Sequence, residues 1–150
     1  MLEHPASALP SAEQRSALSA VLSPQLVGLL KEAADTEARC IKLAQAGEKP
    51  NVFEGDLFVG RYEGAIEASY GKASTKGSRS IAEIDLVYVD SRFPKAHKFR
   101  TAVWKNRVEL RKQGDRWLIQ NIGFDNNGSL VSVLRDYLVE GTRSCRVRQP

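Results

Sequence analysis

Two cysteines and two histidines carry most of the nucleophilic and metal-binding capacity of this 150-residue chain. Cys40 and Cys145 lie about a hundred residues apart, and neither has a second cysteine or a histidine at zinc-site spacing. His4 falls in the opening stretch and His97 in a polar connection, so no Cys–His or Ser–His couple is suggested. No Gly-x-Ser-x-Gly elbow is present. Gly55, Gly60 and Gly64 are spaced too widely for a phosphate-binding loop, and no Lys-Ser/Thr pair opens a helix beside them. Neither a metal nor a cofactor is expected.

Acid–base chemistry needs two protonatable groups facing one pocket. The candidate acids are Asp56, Glu63 and Asp85, and strand alternation places Asp85 on the solvent side. Where an acid would be most useful, beside the aromatic strand positions, the chain carries amides instead. Asn106 stands between Trp104 and Val108, and Gln120 and Asn121 stand between Ile119 and Ile122. Amides exchange no protons near neutral pH, but they donate and accept hydrogen bonds, which serves structure or recognition. The interior is therefore expected to be filled by apolar side chains and uncharged amides, and the protein is not expected to be an enzyme.

The elements that must position these residues follow from periodicity. Residues 1–10 read as a flexible leader, and 11–150 as one domain. Ser11 and Gln14 form a capping box opening a short helix to about Leu22. Ser23-Pro24 opens a second, with Leu26, Leu29, Leu30, Ala33, Ala34, Glu37, Cys40, Ile41 and Ala44 at helical spacing and Gly47 as its C-cap. After a loop over 48–64 the period changes to two. Strands are predicted over Ile66–Tyr70, Ser80–Val89, Thr101–Lys112 and Arg116–Phe124, with a polar turn from Gly71 to Gly77 and a tight one at Gln113–Asp115. Ser129 caps a last helix that Gly141 closes. Strands at short intervals form a meander, so the expected fold is α+β: N-terminal helices on a curved antiparallel sheet, with a C-terminal helix.

Composition agrees with a globular domain: 42% hydrophobic, 27% charged, with no apolar run of bilayer length. The net charge of +4 is too small to announce a nucleic-acid binder. Lys105, Arg107, Arg111, Lys112 and Arg116 nonetheless gather around one hairpin, with Lys95, Lys98 and Arg100 before it and Arg143, Arg146 and Arg148 near the C-terminus. Such a stripe is either a solvated sheet face or a steering surface for an acidic partner or an anionic envelope component. The cysteines also leave two readings: unrelated thiols in a cytosolic protein, or one disulfide in an oxidising compartment. A disulfide closing so long a loop contributes up to about 4–5 kcal/mol on the chain-entropy account. The opening Met1-Leu2-Glu3-His4-Pro5 is not a signal peptide. An exported form would have lost its signal.

The stretch Trp104-Lys-Asn-Arg-Val-Glu-Leu110 followed by Gly114-Asp-Arg-Trp-Leu-Ile-Gln-Asn-Ile122 resembles the last two strands of nuclear-transport-factor-2-like (cystatin-like cone) domains. Those often carry Trp-x-Asp-x-Val-x-Leu, a short turn and Trp-x-Val-Asp-Asp-Ile. Phe53-Glu-Gly-Asp-Leu-Phe58, Tyr62-Glu-Gly64 and the closing helix more narrowly resemble small secreted bacterial members of that superfamily. The resemblance covers residues 12–140. It implies a cone whose mouth is edged by Asp56, Tyr62 and Glu63, with Tyr88, Trp104 and Asn106 deeper. The acids that enzymes of the superfamily use are replaced here by Asn106, Gln120 and Asn121.

Some proteins with such cones are non-catalytic periplasmic partners, including immunity proteins. The expectation is therefore a periplasmic or secreted binding protein that neutralises a secreted antibacterial toxin by occlusion, with Tyr62, Tyr88 or Arg107 as anchors and no contact with nucleic acid. The rival readings are a small-ligand or enzymatic cone using its interior, and a cytosolic scaffold that forms a homodimer through the open sheet face.

Overall fold

The computed structural model describes residues 7–61 and 63–145. Helices α1 (Ala12–Leu18) and α2 (Pro24–Leu43) come first. Strands β1 (Glu67–Lys76), β2 (Arg79–Val89), β3 (Thr101–Gln113) and β4 (Arg116–Gly123) follow, and α3 (Leu130–Ser144) closes the order. The sheet is an open antiparallel meander, β1-β2-β3-β4. The architecture is α+β, as the alternation predicts.

Local chemistry sets the helix starts. The Ser11 hydroxyl accepts from the Gln14 amide while the Gln14 side chain accepts from Ser11 N at 2.8 Å. Ser23 caps α2 with Pro24 in its first turn, and Ser129 and Ser132 cap α3 reciprocally. The stripes Leu26, Leu30, Ala33 and Leu130, Leu134, Tyr137 are buried where α2 and α3 meet. Each fully buried leucine contributes roughly 1.5–3 kcal/mol by leaving water. Ile122 near the end of β4 and Phe124 just after it join this core, as does Leu57 from the loop.

Several boundaries differ from the sequence reading. Gly71 is not a turn residue. The strand runs through it, and a bulge between Tyr70 and Ala73 absorbs the extra residue. A Cβ at Gly71 would stand 3.2 Å from that of Glu83. The turn falls later, at Gly77-Ser78. There, as at Gly114-Asp115, the glycine takes positive φ at the first of two central positions. Helix α2 stops at Leu43, before Gly47. Gly141 does not end α3 but lies inside it, where a Cβ would collide with Thr36 Cγ2 of α2. The helices approach closely there, and just beyond that point Cys40 and Cys145 are joined, with their Cα atoms 5.1 Å apart. The segment read as leader is part of the body in its last residues. Leu9 is buried in the core, and Ala8 N donates to Phe53 O at 3.0 Å.

The helix layer is narrower than the sheet. Helices α2 and α3 reach the sheet only through β4. Residues Val21–Ser23 run alongside β4 and hydrogen-bond to both sides of Ile119. Strands β1, β2 and β3 therefore extend beyond the helices as a wing.

Candidate interaction surface

Antiparallel partners share a face of the sheet, so register defines the two sides of the wing. One side carries the rows Ala68–Leu86–Trp104, Tyr70–Ile84–Asn106 and Ala73–Ala82–Val108. The other carries Ser69–Asp85–Lys105, Ser74–Ile81–Glu109 and Lys76–Arg79–Arg111, with Glu83 opposite Arg107.

On the first side, the loop before β1 covers one patch. Asp56 organises that loop: its carboxylate accepts from Phe58 N at 3.1 Å and Val59 N at 3.2 Å, and its backbone bridges to Arg61. Val59 O accepts from Asn106 Nδ2 at 2.8 Å. The Arg61 guanidinium lies 4.3 Å from the centre of the Trp104 ring and is held at its other side by Asp125, at 2.6 Å. A cation over an indole face is attractive in its own right. Trp104 and Asn106 are thus buried under a lid of main chain and arginine, and Trp104 Nε1 and Asn106 Oδ1 have no partner among the described residues. A cleft of about 240 Å³ lies beside the lid, between Asp56, Arg61, Phe124 and Val133.

The sequence-derived candidates therefore do not form one constellation. Trp104 and Asn106 adjoin the Asp56 loop. Arg107 points to the opposite face of the sheet and packs over Gly123. Glu63 is exposed and Tyr88 half-buried. Both act electrostatically on Arg92, which binds Asp90 at 2.6 Å. Hydrogen bonds from the Arg92 side chain, then its backbone, hold the Asp90 carboxyl down at about 2. Tyr62, Arg146 and Arg148 lie outside the described residues. Asn121 serves structure: its Oδ1 accepts from Val131 N at 3.0 Å in the first turn of α3.

Sequence reasoning missed two buried acids, Glu37 and Asp90. Glu37 is buried, and its carboxylate accepts from Phe53 N at 2.9 Å. Tyr137 stacks obliquely on Phe53, with ring centres 4.3 Å apart, and its hydroxyl donates to Asn51 O at 2.8 Å. Burial, followed by the negative charge of Glu37, pushes the Tyr137 hydroxyl up to about 12. The interior is thus not filled by apolar groups and amides alone. The signal was available, since Glu37 falls on the apolar stripe of α2. Its bond to Phe53 pins residues 51–53 to the helices. Among the described residues no cluster of three or more histidine, cysteine or acidic side chains could hold a metal ion.

The wing is accessible. All ten residues of β1 are exposed, Tyr70 at 91%. Ile66 at the foot of β1 and Val103 on β3 are also exposed. Searches against protein-family models, curated proteins and solved structures find no match to this chain.

Proposed function

We propose that the protein is a non-catalytic binding protein of an oxidising, extracytoplasmic compartment, and that it docks a protein partner on the β1–β3 wing. Neutralisation of a secreted toxin by occlusion is the specific form of this reading. The observation that carries it is the mismatch in width between the sheet and its helices. A three-stranded extension with Tyr70, Ile84 and Val108 on one face has no helix over it. Open apolar sheet area of this kind is a common ground for partners. A stable complex needs roughly 1,200–2,000 Å² of total buried surface, which strands of ten or more residues can supply.

One further observation supports the compartment: the Cys40–Cys145 disulfide suits an oxidising environment. Among the described residues no helix is long and apolar enough to cross a membrane. The interior acids already hold local structure: Glu37 binds a backbone amide and Asp90 binds Arg92.

The test is crosslinked capture from the periplasm of the native host, followed by calorimetric titration of the captured protein against wild type and Tyr70→Glu/Ala73→Glu. Both positions are exposed, so the variant should fold. Stoichiometric binding that the variant abolishes supports the proposal. Binding indifferent to these substitutions overturns it, as does turnover of a small molecule that Asp56→Asn abolishes.

A further inference from the structure

Three cationic side chains stand in one cross-strand row at the free end of the wing. Lys76 of β1 is opposite Arg79 of β2, and Arg79 is opposite Arg111 of β3. All three are exposed and share a face. Strands lie about 4.7–4.9 Å apart, so the row crosses roughly 10 Å of sheet. Like charges directly opposite one another destabilise a sheet. Among the described residues the three form no ion pair and no cation–π contact. The contrast lies on the same face, where Lys105 is shared between Glu83 at 3.1 Å and Asp85 at 3.6 Å. One half of the face balances its charge, and the other stacks like on like. Folding gains nothing from such a row, whereas a ligand of opposite charge would.

We infer that the row Lys76–Arg79–Arg111 binds a cluster of carboxylates on a protein partner. This rests on the binding-protein reading and names the chemistry of the partner, which reaches round the free end of the wing, because the row lies on the face opposite Tyr70, Ile84 and Val108. Arginine offers a planar fork that matches carboxylate oxygens two at a time, and charge-assisted bonds of this kind are roughly twice as strong as neutral ones. The dimensions favour a protein over a phosphate polymer or a bilayer. Glu109 lies two residues along β3 from Arg111, roughly 7 Å away, and Glu83 and Asp85 lie beyond it. A continuous run of phosphates or lipid headgroups laid on this face would meet those acids. A compact acidic patch would not. No aromatic side chain shares the row to stack a base.

The experiment measures fluorescence anisotropy of a labelled oligoglutamate peptide at low and moderate salt, with phosphatidylglycerol vesicles and single-stranded DNA as competing probes. The wild-type protein should bind the peptide in preference to both, and salt should weaken the binding. Arg79→Thr/Arg111→Thr should weaken it about tenfold, the scale of one lost charge-assisted bond. The same variant should melt no lower than wild type, because the repulsion is gone. A preference for vesicles or DNA overturns the inference. So does peptide binding that the double variant retains, or a lack of peptide binding by the wild type. Failure of the underlying reading looks different: no protein is captured while peptide binding and its loss in the variant persist. If a captured partner ignores the row but is lost with Tyr70→Glu/Ala73→Glu, this inference alone fails.

Discussion

The α2–α3–β4 body and the β1–β3 wing are built on opposite terms. The body has four leucines at 0–1% exposure, a close contact of Gly141 with Thr36 that lets two helices close up, and a covalent tie at its edge. The wing has strand pairing and little else: hydrogen-bonded ladders, a bulge, a tight turn at Gly77-Ser78, and one patch covered by Arg61 and Val59. Its side chains are mostly in water. In the body, nearly every position answers to packing. In the wing, side chains are free to answer to something else, and the cationic row is what they hold.

Substitutions should separate the two regions most sharply. Leu134→Ala, at a position with 0% exposure, should cost about 3–5 kcal/mol in urea unfolding. Ser74→Ala in β1 should stay within about 0.5 kcal/mol. Equal effects would mean that the wing is packed in solution, for instance against a second copy.

Loss of the disulfide comes next. Cys40→Ser/Cys145→Ser should cost about 2–5 kcal/mol, read as a lower melting temperature. The loss should fray α3 from its C-terminal end. Hydrogen exchange should quicken there and stay unchanged in β2 and β3.

The smallest effect is a pH dependence that the body contributes through Tyr137. The Tyr137 hydroxyl is raised in the fold from 10.0 to about 12, so the folded state holds its proton more tightly than the unfolded chain does. Its stabilising contribution is complete below pH 10 and is lost as the pH rises through about 12. Stability should decline over that interval in wild type and less steeply in Tyr137→Phe, measured by chemical denaturation at a series of alkaline pH values.

How much of this was legible in the letters follows the same division. Caps are local, so Ser11–Gln14, Ser23–Pro24 and Ser129 announced their helices. Alternation in β3 separated Trp104 and Asn106 from Lys105 and Arg107, and the register keeps them apart. Glycines were less readable, because the residue serves turns, bulges and close contacts alike. Gly71 proved to be a bulge and Gly141 a helix contact, and only the neighbouring strand or helix distinguishes these uses. Glu37 was visible as a break in an apolar stripe, but its partner Phe53 is sixteen residues away across a loop. The width of the helix layer is a tertiary property, and no local pattern encodes it. Arg61, which roofs Trp104, had no sequence signal at all.

The link between Cys40 and Cys145 spans 105 residues and encloses every strand. Under oxidising conditions the sheet is therefore one segment of a closed ring of chain. A protease that cuts the exposed turn at Gly77-Ser78 would break the backbone and still leave a single molecule, its two pieces parting on a gel only after thiol is added. A protein working among hydrolytic enzymes could lose a peptide bond in its most exposed region and keep both halves in place.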